Sequence, residues 1–177
     1  RIVQDKNKQK CFFKDNKIPS ANFRYFKSQK DFMSSIEKNN VKFPCVWKKT
    51  KFGYDGFGVK ILKSAEDAKN LPDSEMIIED KIPFEKELSV IVARNKNGDL
   101  KYYKTVEMEF NKKSNQVEYV ISPANISDDI HRKASDLAIK IAESLNCIGV
   151  LAVEMFLSNN EILVNELAPR PHNSGHF

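Results

Sequence analysis

The fold is most constrained by two apolar segments near the end of the sequence, at residues 147–157 and 162–168, which are joined by the turn Ser158-Asn159-Asn160. Two such segments around a short, asparagine-rich turn predict an antiparallel hairpin. Each predicted strand carries one carboxylate among apolar residues, Glu154 in the first and Glu166 in the second. Because side chains alternate between the faces of a strand, a tight turn would bring the two carboxylates almost opposite each other on one face.

A carboxylate pair in this setting needs a partner, because like charges opposite each other destabilise a hairpin. One interpretation is a divalent cation: Mg²⁺ prefers carboxylate oxygens and takes its remaining ligands from water and nucleotide phosphates. Asn165 would add a neighbouring oxygen ligand. The alternative is that one glutamate forms an ordinary ion pair with a lysine at the edge of the sheet.

Polar side chains continue directly after the second predicted strand. Arg170 and His172 each follow a proline, and the fixed backbone of Pro169 and Pro171 stiffens the segment and aims the two side chains. A guanidinium suits bidentate binding of phosphate or carbonate, and an imidazole can donate a hydrogen bond or relay a proton. The end of the sequence therefore divides into a metal side, with Glu154, Asn165 and Glu166, and a substrate side, with Arg170, His172 and Asn173.

A second candidate site is the loop between predicted strands at residues 45–48 and 59–62, which holds three of the six glycines, Gly53, Gly56 and Gly58. Glycine lets backbone amides surround a phosphate, and a lysine ahead of the loop adds positive charge. The strand that follows excludes the Rossmann and Walker A motifs, which need a helix there. The loop is either a flap over a polyphosphate or the flexible tip of an ordinary hairpin.

The rest of the pattern predicts an α+β chain with mostly antiparallel sheets, since helices and strands do not alternate strictly. In the first helix, Cys11 and Phe12 are expected to face the core, whereas the lysines, Lys10 among them, are expected to face solvent. A turn at residues 95–98 predicts a second hairpin. Helices are predicted at residues 5–16, 28–39, 64–71 and 128–146, and further strands at 76–79, 87–94 and 100–106.

Charge and composition exclude some classes of function. Residues 1–63 carry 16 basic against 5 acidic side chains, but no recognition helix, zinc finger or RNA-binding sheet accompanies them, so no nucleic-acid partner is expected. No apolar run approaches the roughly 20 residues of a membrane span. The three cysteines are widely spaced and are expected to be reduced and mostly buried, as in a cytoplasmic protein.

Four segments together resemble the 5-(carboxyamino)imidazole ribonucleotide synthetases, which are ATP-grasp enzymes of purine biosynthesis and the ATPase subunits of phosphoribosylaminoimidazole carboxylase. The resemblance runs from Ile2 to the last residue. It implies an ATP-grasp fold over residues 1–177, with two lobes of mostly antiparallel sheets flanked by helices, the smaller lobe at about 43–105. The segments are Gly53-Tyr54-Asp55-Gly56-x-Gly58, Glu87-Leu88-Ser89, Gly149-Val150-Leu151-Ala152-Val153-Glu154 and Asn165-Glu166-Leu167-Ala168-Pro169-Arg170-Pro171-His172-Asn173-Ser174-Gly175-His176.

The resemblance also implies a reaction, in which ATP and Mg²⁺ (or Mn²⁺) drive the carboxylation of aminoimidazole ribonucleotide by bicarbonate through carboxyphosphate. The full-length protein is expected to be a cytoplasmic homodimer. Its N-terminal Rossmann-like domain and its C-terminal segment are absent from these residues, so the isolated core is expected to be inactive. The alternatives are another ATP-grasp ligase, against which residues 170–176 argue, and a non-catalytic binding domain.

Site residues follow from the same resemblance. Those expected to contact ATP are Lys6 and Lys48 at the phosphates, the flap residues Gly53, Tyr54, Asp55, Gly56, Phe57, Gly58 and Val59, the adenine hinge Glu79, Asp80, Lys81 and Ile82, and Glu87 at the ribose. Those expected to hold the metal are Glu154 and Glu166, with Asn165 and Glu166 also beside the nucleotide. Those expected at the imidazole nucleotide and carboxyphosphate are Tyr54, Asp55, Arg170, His172 and Asn173. The chain departs from the family pattern at Lys6, Phe52, Val59 and Phe110.

Overall fold

The computed structural model describes residues 2–51, 58–111 and 116–176. Its α-helices are α1 (Lys6–Asp15), α2 (Gln29–Glu37), α3 (Ala65–Lys69) and α4 (Asp128–Ser144). Its strands are β1 (Phe23–Phe26), β2 (Cys45–Lys49), β3 (Val59–Leu62), β4 (Met76–Asp80), β5 (Lys86–Arg94), β6 (Leu100–Tyr102), β7 (Val106–Phe110), β8 (Val117–Ile121), β9 (Gly149–Ser158) and β10 (Glu161–Ala168). Short 3₁₀ helices occupy Ile2–Gln4 and Asn173–Gly175.

The chain divides into two compact units, and the border between them falls inside α1. The first unit contains residues 1–12 and 21–82, and the second contains residues 13–20 and 83–177. The first unit therefore begins earlier, and ends earlier, than the smaller lobe expected at 43–105.

The first unit is built on a four-stranded antiparallel sheet in the order β1-β4-β2-β3. Its core lies on one face of that sheet, where Trp47 and Ile78 pack with Phe32 of α2. Because side chains alternate along a strand, Lys48 and Glu79 fall on the opposite face. Val46 is the register partner of Glu79, so Lys48 lies diagonally across from Glu79, within reach of a long side chain.

The second unit is built on an antiparallel sheet in the order β10-β9-β5-β7-β8, with β6 paired to β5. One face is apolar and buried, and α4 packs against β5, β9 and β10. Ser127 caps α4 by accepting from the backbone N–H of Ile130 at 3.4 Å. Alternation directs Ser89 and Glu154 to the other face. The fully buried residues of the apolar face are Leu88, Val90, Val92, Leu151, Val153 and Met155.

Most of the predicted elements are confirmed, and three expectations are wrong. The predicted strand at 100–106 is two strands, β6 and the start of β7, and β8 had not been predicted. Cys11 is exposed and Lys10 is buried. The reason is helical phase: the buried side of α1 runs through Gln9, Lys10 and Phe13, and Cys11 lies about 100° beyond Lys10, outside that side. Within the described ranges, no helix is both long and apolar enough to cross a membrane.

Candidate active site

The first unit contains a buried ionic cluster of Lys10, Lys48 and Glu79, called here the lysine–glutamate cluster. Glu79 Oε2 lies 2.9 Å from Lys48 Nζ, and its Oε1 lies 3.2 Å from Lys10 Nζ. Glu79 and Lys10 are each 3% exposed and Lys48 is 6% exposed. Charged side chains are rarely buried to this degree unless they are paired, so the pairing explains how the three can lie inside the unit.

Electrostatics favours the ionised form of Glu79 beside the two lysines. Burial is the largest influence on the pKa of Glu79 and raises it, but the attraction of Lys48 and Lys10 outweighs burial, so the pKa is lowered and the carboxylate stays ionised. Burial lowers the pKa of Lys10; Glu79 opposes that shift, and repulsion from Lys48 and Lys6 adds to it. The cluster contains two basic side chains and one acidic side chain, and this excess of basic groups favours a nearby anion.

Two expected ATP ligands of the first unit lie at or beside this cluster. Lys48 belongs to it, and Lys6 precedes Lys10 by four residues on α1, so the two lysines share one side of the helix. The backbone N–H of Lys6 also donates to Thr50 O at 2.9 Å, which fastens the start of α1.

The glycine loop is described only at its end. Gly58 has a positive φ of 88°, a backbone conformation that suits glycine, and its carbonyl accepts from Lys49 N–H at 2.8 Å. Val59 opens β3 and is 36% exposed. Gly53, Tyr54, Asp55, Gly56 and Phe57 lie outside the described residues, so the choice between a flap and an ordinary hairpin tip stays a prediction.

The expected adenine hinge lies at the end of β4. Glu79 turns its carboxylate into the cluster, whereas Asp80 is exposed and accepts from Asn22 Nδ2 at 3.0 Å. Lys81 is exposed and Ile82 is half-buried. Contact of this segment with adenine stays a prediction. Because the Glu79 carboxylate is bound in the cluster, such a contact would use the backbone of the segment and the side chains of Asp80, Lys81 and Ile82.

In the second unit, Glu154 and Glu166 are direct register partners across β9 and β10. The turn between the strands places Asn159 and Asn160 at φ values of 51° and 62°, as in a two-residue type I′ hairpin. That turn alone would set Asn165 opposite Glu154. A register shift between Val164 and Glu166 makes Asn165 the extra residue of a β-bulge, and the bulge brings Glu166 opposite Glu154.

A chain of hydrogen bonds joins Glu154 to the 3₁₀ helix that follows β10. His172 Nε2 lies 3.0 Å from Glu154 Oε1, and His172 Nδ1 lies 2.9 Å from Ser174 Oγ. Ser174 Oγ in turn lies 2.9 Å from Ser89 Oγ on β5. Ser89 and Ser174 are fully buried. The three residues Ser89, Ser174 and His172 are called here the serine–histidine chain.

The residues of this face fit a divalent cation that is shared with a ligand. Two half-buried carboxylates opposite each other suit Mg²⁺ or Mn²⁺, and Asn165 stands between them in sequence as an oxygen donor. In the part of the chain that the structure describes, no group of three or more His, Cys, Asp and Glu side chains is arranged to hold a metal by itself. A cation here would therefore need further ligands from nucleotide phosphates and water, as Mg²⁺ commonly does.

The remaining expected residues of the second unit lie around this face. Glu87 precedes Ser89 by two residues on β5, so it shares the face of Ser89, and its partner on β9 is Phe156. Arg170 is exposed and donates to Pro171 O at 3.0 Å. Asn173 opens the 3₁₀ helix and is exposed. The structure thus brings Glu87, Glu154, Glu166 and His172 to one sheet face, with Arg170 and Asn173 in the segment after β10.

Comparison with known proteins identifies the family. The family model described as the ATP-grasp domain matches residues 11–177. The chain belongs to the ATP-grasp family. The α+β fold with antiparallel sheets and flanking helices that the sequence predicted is confirmed.

Relatives of this ATP-grasp chain include N5-carboxyaminoimidazole ribonucleotide synthase of Bacillus subtilis, 37% identical over 99% of this chain and 47% of that protein. A crystal structure of an ADP complex of N5-carboxyaminoimidazole ribonucleotide synthetase matches with a TM-score of 0.90 at 37% identity, covering 99% of this chain and 47% of that one. The Aspergillus clavatus synthase, in complex with ADP and 5-aminoimidazole ribonucleotide, matches with a TM-score of 0.86 at 31% identity, covering 100% of this chain and 47% of that one. The resemblance seen in the sequence is confirmed, and the chain spans about half the length of these relatives.

Three residues of the ATP-grasp chain stand in the candidate site without having been assigned a role from the sequence: Lys10, Ser89 and Ser174. Lys10 could have been found from its spacing of four residues from Lys6 on one helix. Ser89 is a polar residue inside an apolar strand, and a buried hydroxyl in such a position normally has a partner. Nothing in the sequence tells that this partner is Ser174, because 85 residues separate the two.

Proposed function

We propose that this chain is the ATP-grasp core of an ATP-dependent ligase that carboxylates aminoimidazole ribonucleotide with bicarbonate. The observation that carries the proposal is the pairing of Glu154 with Glu166, with His172 on Glu154, in a chain that belongs to the ATP-grasp family. Its relatives support the same reaction, since they are N5-carboxyaminoimidazole ribonucleotide synthases and the structure of one contains ADP and 5-aminoimidazole ribonucleotide.

In this proposal the phosphates of ATP bind at Lys48 and Lys6. An ammonium group has three donors, so the bond from Lys48 to Glu79 does not prevent a further bond to phosphate. Glu79 fixes the position of Lys48, and Lys48 and Lys10 together favour the ionised form of Glu79. Glu79, Asp80, Lys81 and Ile82 stay the proposed adenine segment, Glu87 the proposed ribose ligand, and residues 53–59 the proposed flap.

Glu154 and Glu166, with Asn165, are the proposed ligands of Mg²⁺, or of Mn²⁺ in its place. A cation bound there would neutralise charge on the phosphates during transfer. Two features of the chain position the carboxylates of Glu154 and Glu166. His172 donates to one oxygen of Glu154, and the bulge at Asn165 brings Glu166 opposite Glu154.

The proposed chemistry has two transfers. The terminal phosphoryl group of ATP passes to an oxygen of bicarbonate, which gives ADP and carboxyphosphate. The amine of aminoimidazole ribonucleotide then attacks the carboxyl carbon, the carbon–oxygen bond to phosphate breaks, and the nitrogen loses a proton. The proposed contacts to the imidazole nucleotide and carboxyphosphate are Tyr54, Asp55, Arg170, His172 and Asn173, and a closed flap would keep water from carboxyphosphate.

The activity of the whole protein is part of the proposal, because the relatives are about twice as long as this chain. We expect the 177 residues to bind nucleotide with a divalent cation and not to turn over unaided. The homodimeric state and the cytoplasmic location expected from the sequence belong to the same proposal.

Calorimetric titration of the chain with ADP, with and without Mg²⁺, tests it. We expect binding that Mg²⁺ strengthens, and Glu166→Gln should remove that dependence. Glu161→Gln is the matched control, since Glu161 is an exposed glutamate on the same strand. If ADP gave no binding heat with Mg²⁺ present, the proposal would be withdrawn. Phosphate release by the full-length protein that responds to formate or an amino acid, and not to aminoimidazole ribonucleotide, would favour another ATP-grasp ligase.

A further inference from the structure

The serine–histidine chain has a geometry that decides where its protons lie. The backbone N–H of Ser174 donates to His172 Nδ1 at 3.3 Å. A backbone amide can only donate, so Nδ1 is the unprotonated nitrogen of the ring and the proton of the neutral imidazole is on Nε2. Nε2–H then donates to Glu154 Oε1 at 3.0 Å.

The same assignment satisfies both buried hydroxyls. Because Nδ1 is an acceptor, the hydroxyl of Ser174 donates to it at 2.9 Å. The oxygen of Ser174 then accepts from the hydroxyl of Ser89, also at 2.9 Å. Every bond in the chain thus points in one direction, from Ser89 on β5 to Glu154 on β9. Both serines are fully buried, where an unmade hydrogen bond is expensive, so this order of protons is strongly preferred.

We propose that Ser89 and Ser174 are positioning residues, which hold His172 as its Nε2–H tautomer and thereby fix Glu154 with Oε1 hydrogen-bonded and Oε2 directed to a divalent cation. The part of this inference that concerns the cation rests on the proposed function; the part that concerns the tautomer does not. His172 then serves as a fixed hydrogen-bond donor to Glu154, held by the bonds that Ser174 makes to Nδ1. Partners that orient a metal ligand in this way commonly affect metal affinity.

The tautomer is measured directly by ¹⁵N NMR of the imidazole, in the 177-residue chain without nucleotide or metal, at about pH 8, above the ordinary titration range of histidine. The unprotonated and protonated ring nitrogens have separate chemical shifts. We expect His172 to be in the Nε2–H form alone in the wild type and also in Ser174→Ala, because alanine keeps the backbone N–H that donates to Nδ1 and lacks the hydroxyl that could accept from an Nδ1–H. Ser135→Ala, which removes a buried hydroxyl from α4, is the control and should leave the wild-type signal unchanged.

A second experiment measures the affinity of the chain for a divalent cation. Binding of Mn²⁺ in the presence of ADP is measured by electron paramagnetic resonance. We expect Ser174→Ala and Ser89→Ala each to weaken Mn²⁺ affinity by up to about tenfold, the lower range for partners of metal ligands, and Ser135→Ala to leave it unchanged. If Ser174→Ala fails to fold, the double variant Ser89→Ala/Ser174→Ala replaces it, because removing both partners leaves no unpaired hydroxyl in the core.

The outcomes separate the two proposals. A wild type that holds the Nδ1–H form, or a mixture of both tautomers, would overturn the inference, and so would a change to the Nδ1–H form in Ser174→Ala. If the serine variants kept the wild-type affinity for Mn²⁺, the part of the inference that concerns the cation would be wrong, and the proposed function would be unaffected. Absence of Mn²⁺ binding in the wild type itself would overturn the cation half together with the proposed function.

Discussion

Glu166 lies directly opposite Glu154 because Asn165 bulges out of β10. The asparagine turn between the two strands would otherwise pair Glu154 with Asn165 and send Glu166 to the other face of the sheet. The pairing of β9 with β10 therefore departs from a regular ladder at a position where the departure brings two like charges together. An arrangement that opposes folding energetics in this way is typical of a site shaped for a ligand.

The first prediction concerns the stability of that pair. Replacing Glu166 with glutamine removes a like-charge repulsion between cross-strand neighbours, so we expect Glu166→Gln to raise the free energy of unfolding by a few tenths of a kcal/mol to about 1 kcal/mol without cation. The same change should abolish the gain in ADP affinity that Mg²⁺ provides. Denaturant unfolding in a chelator, together with calorimetry, measures both effects.

Glu161→Gln is the control for that experiment and should change neither quantity. A loss of stability in Glu166→Gln would support the alternative that Glu166 forms a stabilising ion pair with a lysine. The metal-site and ion-pair interpretations of the carboxylates thus predict opposite signs for the change in the free energy of unfolding in Glu166→Gln.

The second prediction separates two roles for His172, as a donor and as a proton relay. Glutamine can place an N–H close to the position of Nε2, whereas asparagine reaches only to the position of Nδ1. We expect His172→Gln to keep most of the Mg²⁺-dependent affinity for ADP and His172→Asn to lose about tenfold or more, because only the first retains a donor to Glu154. Equal damage in both variants would argue against the donor role.

The sequence predicted much of this site because its signals are local. The apolar segments of β9 and β10 and the turn at Asn159-Asn160 are enough to predict the hairpin that carries Glu154 and Glu166 on adjacent strands. The bulge at Asn165 has no such signal, since neither glycine nor any other turn residue precedes it. The same holds for Ser89 and Ser174, whose contact joins two distant parts of the sequence.

Lys10 shows how a local rule can also mislead. Lysines in an amphipathic helix normally face solvent, and Lys8 and Lys14 do so. Lys10 is drawn inside by Glu79, a residue 69 positions later on β4. Only the tertiary fold tells which lysine of the helix has a buried partner.

The third prediction uses that buried partner. Glu79→Gln leaves Lys10 and Lys48 buried without their counter-charge, so we expect it to lower the free energy of unfolding by about 3–5 kcal/mol. Glu75→Gln is the matched control: Glu75 also contacts a lysine, at 3.1 Å, but that pair is exposed and solvent screens it. Urea denaturation should therefore show a large shift of the midpoint for Glu79→Gln and little change for Glu75→Gln. Similar small effects of both changes would contradict the description of Glu79 as the centre of a buried cluster.

The fourth prediction is the pH dependence of the same cluster. The pKa of Glu79 is lowered in the folded chain: burial raises it, but Lys48 and Lys10 together outweigh burial. A carboxyl with a lowered folded pKa contributes stability above its ordinary value, which is 4.5 here, and loses that contribution as the pH falls through the folded pKa. We therefore expect the difference in unfolding free energy between wild type and Glu79→Gln to be constant from neutral pH down to about pH 5, and to shrink steadily at lower pH. Urea titrations of both proteins across this pH range measure the difference in unfolding free energy. An increase of that difference on acidification would contradict a lowered pKa of Glu79 in the folded chain.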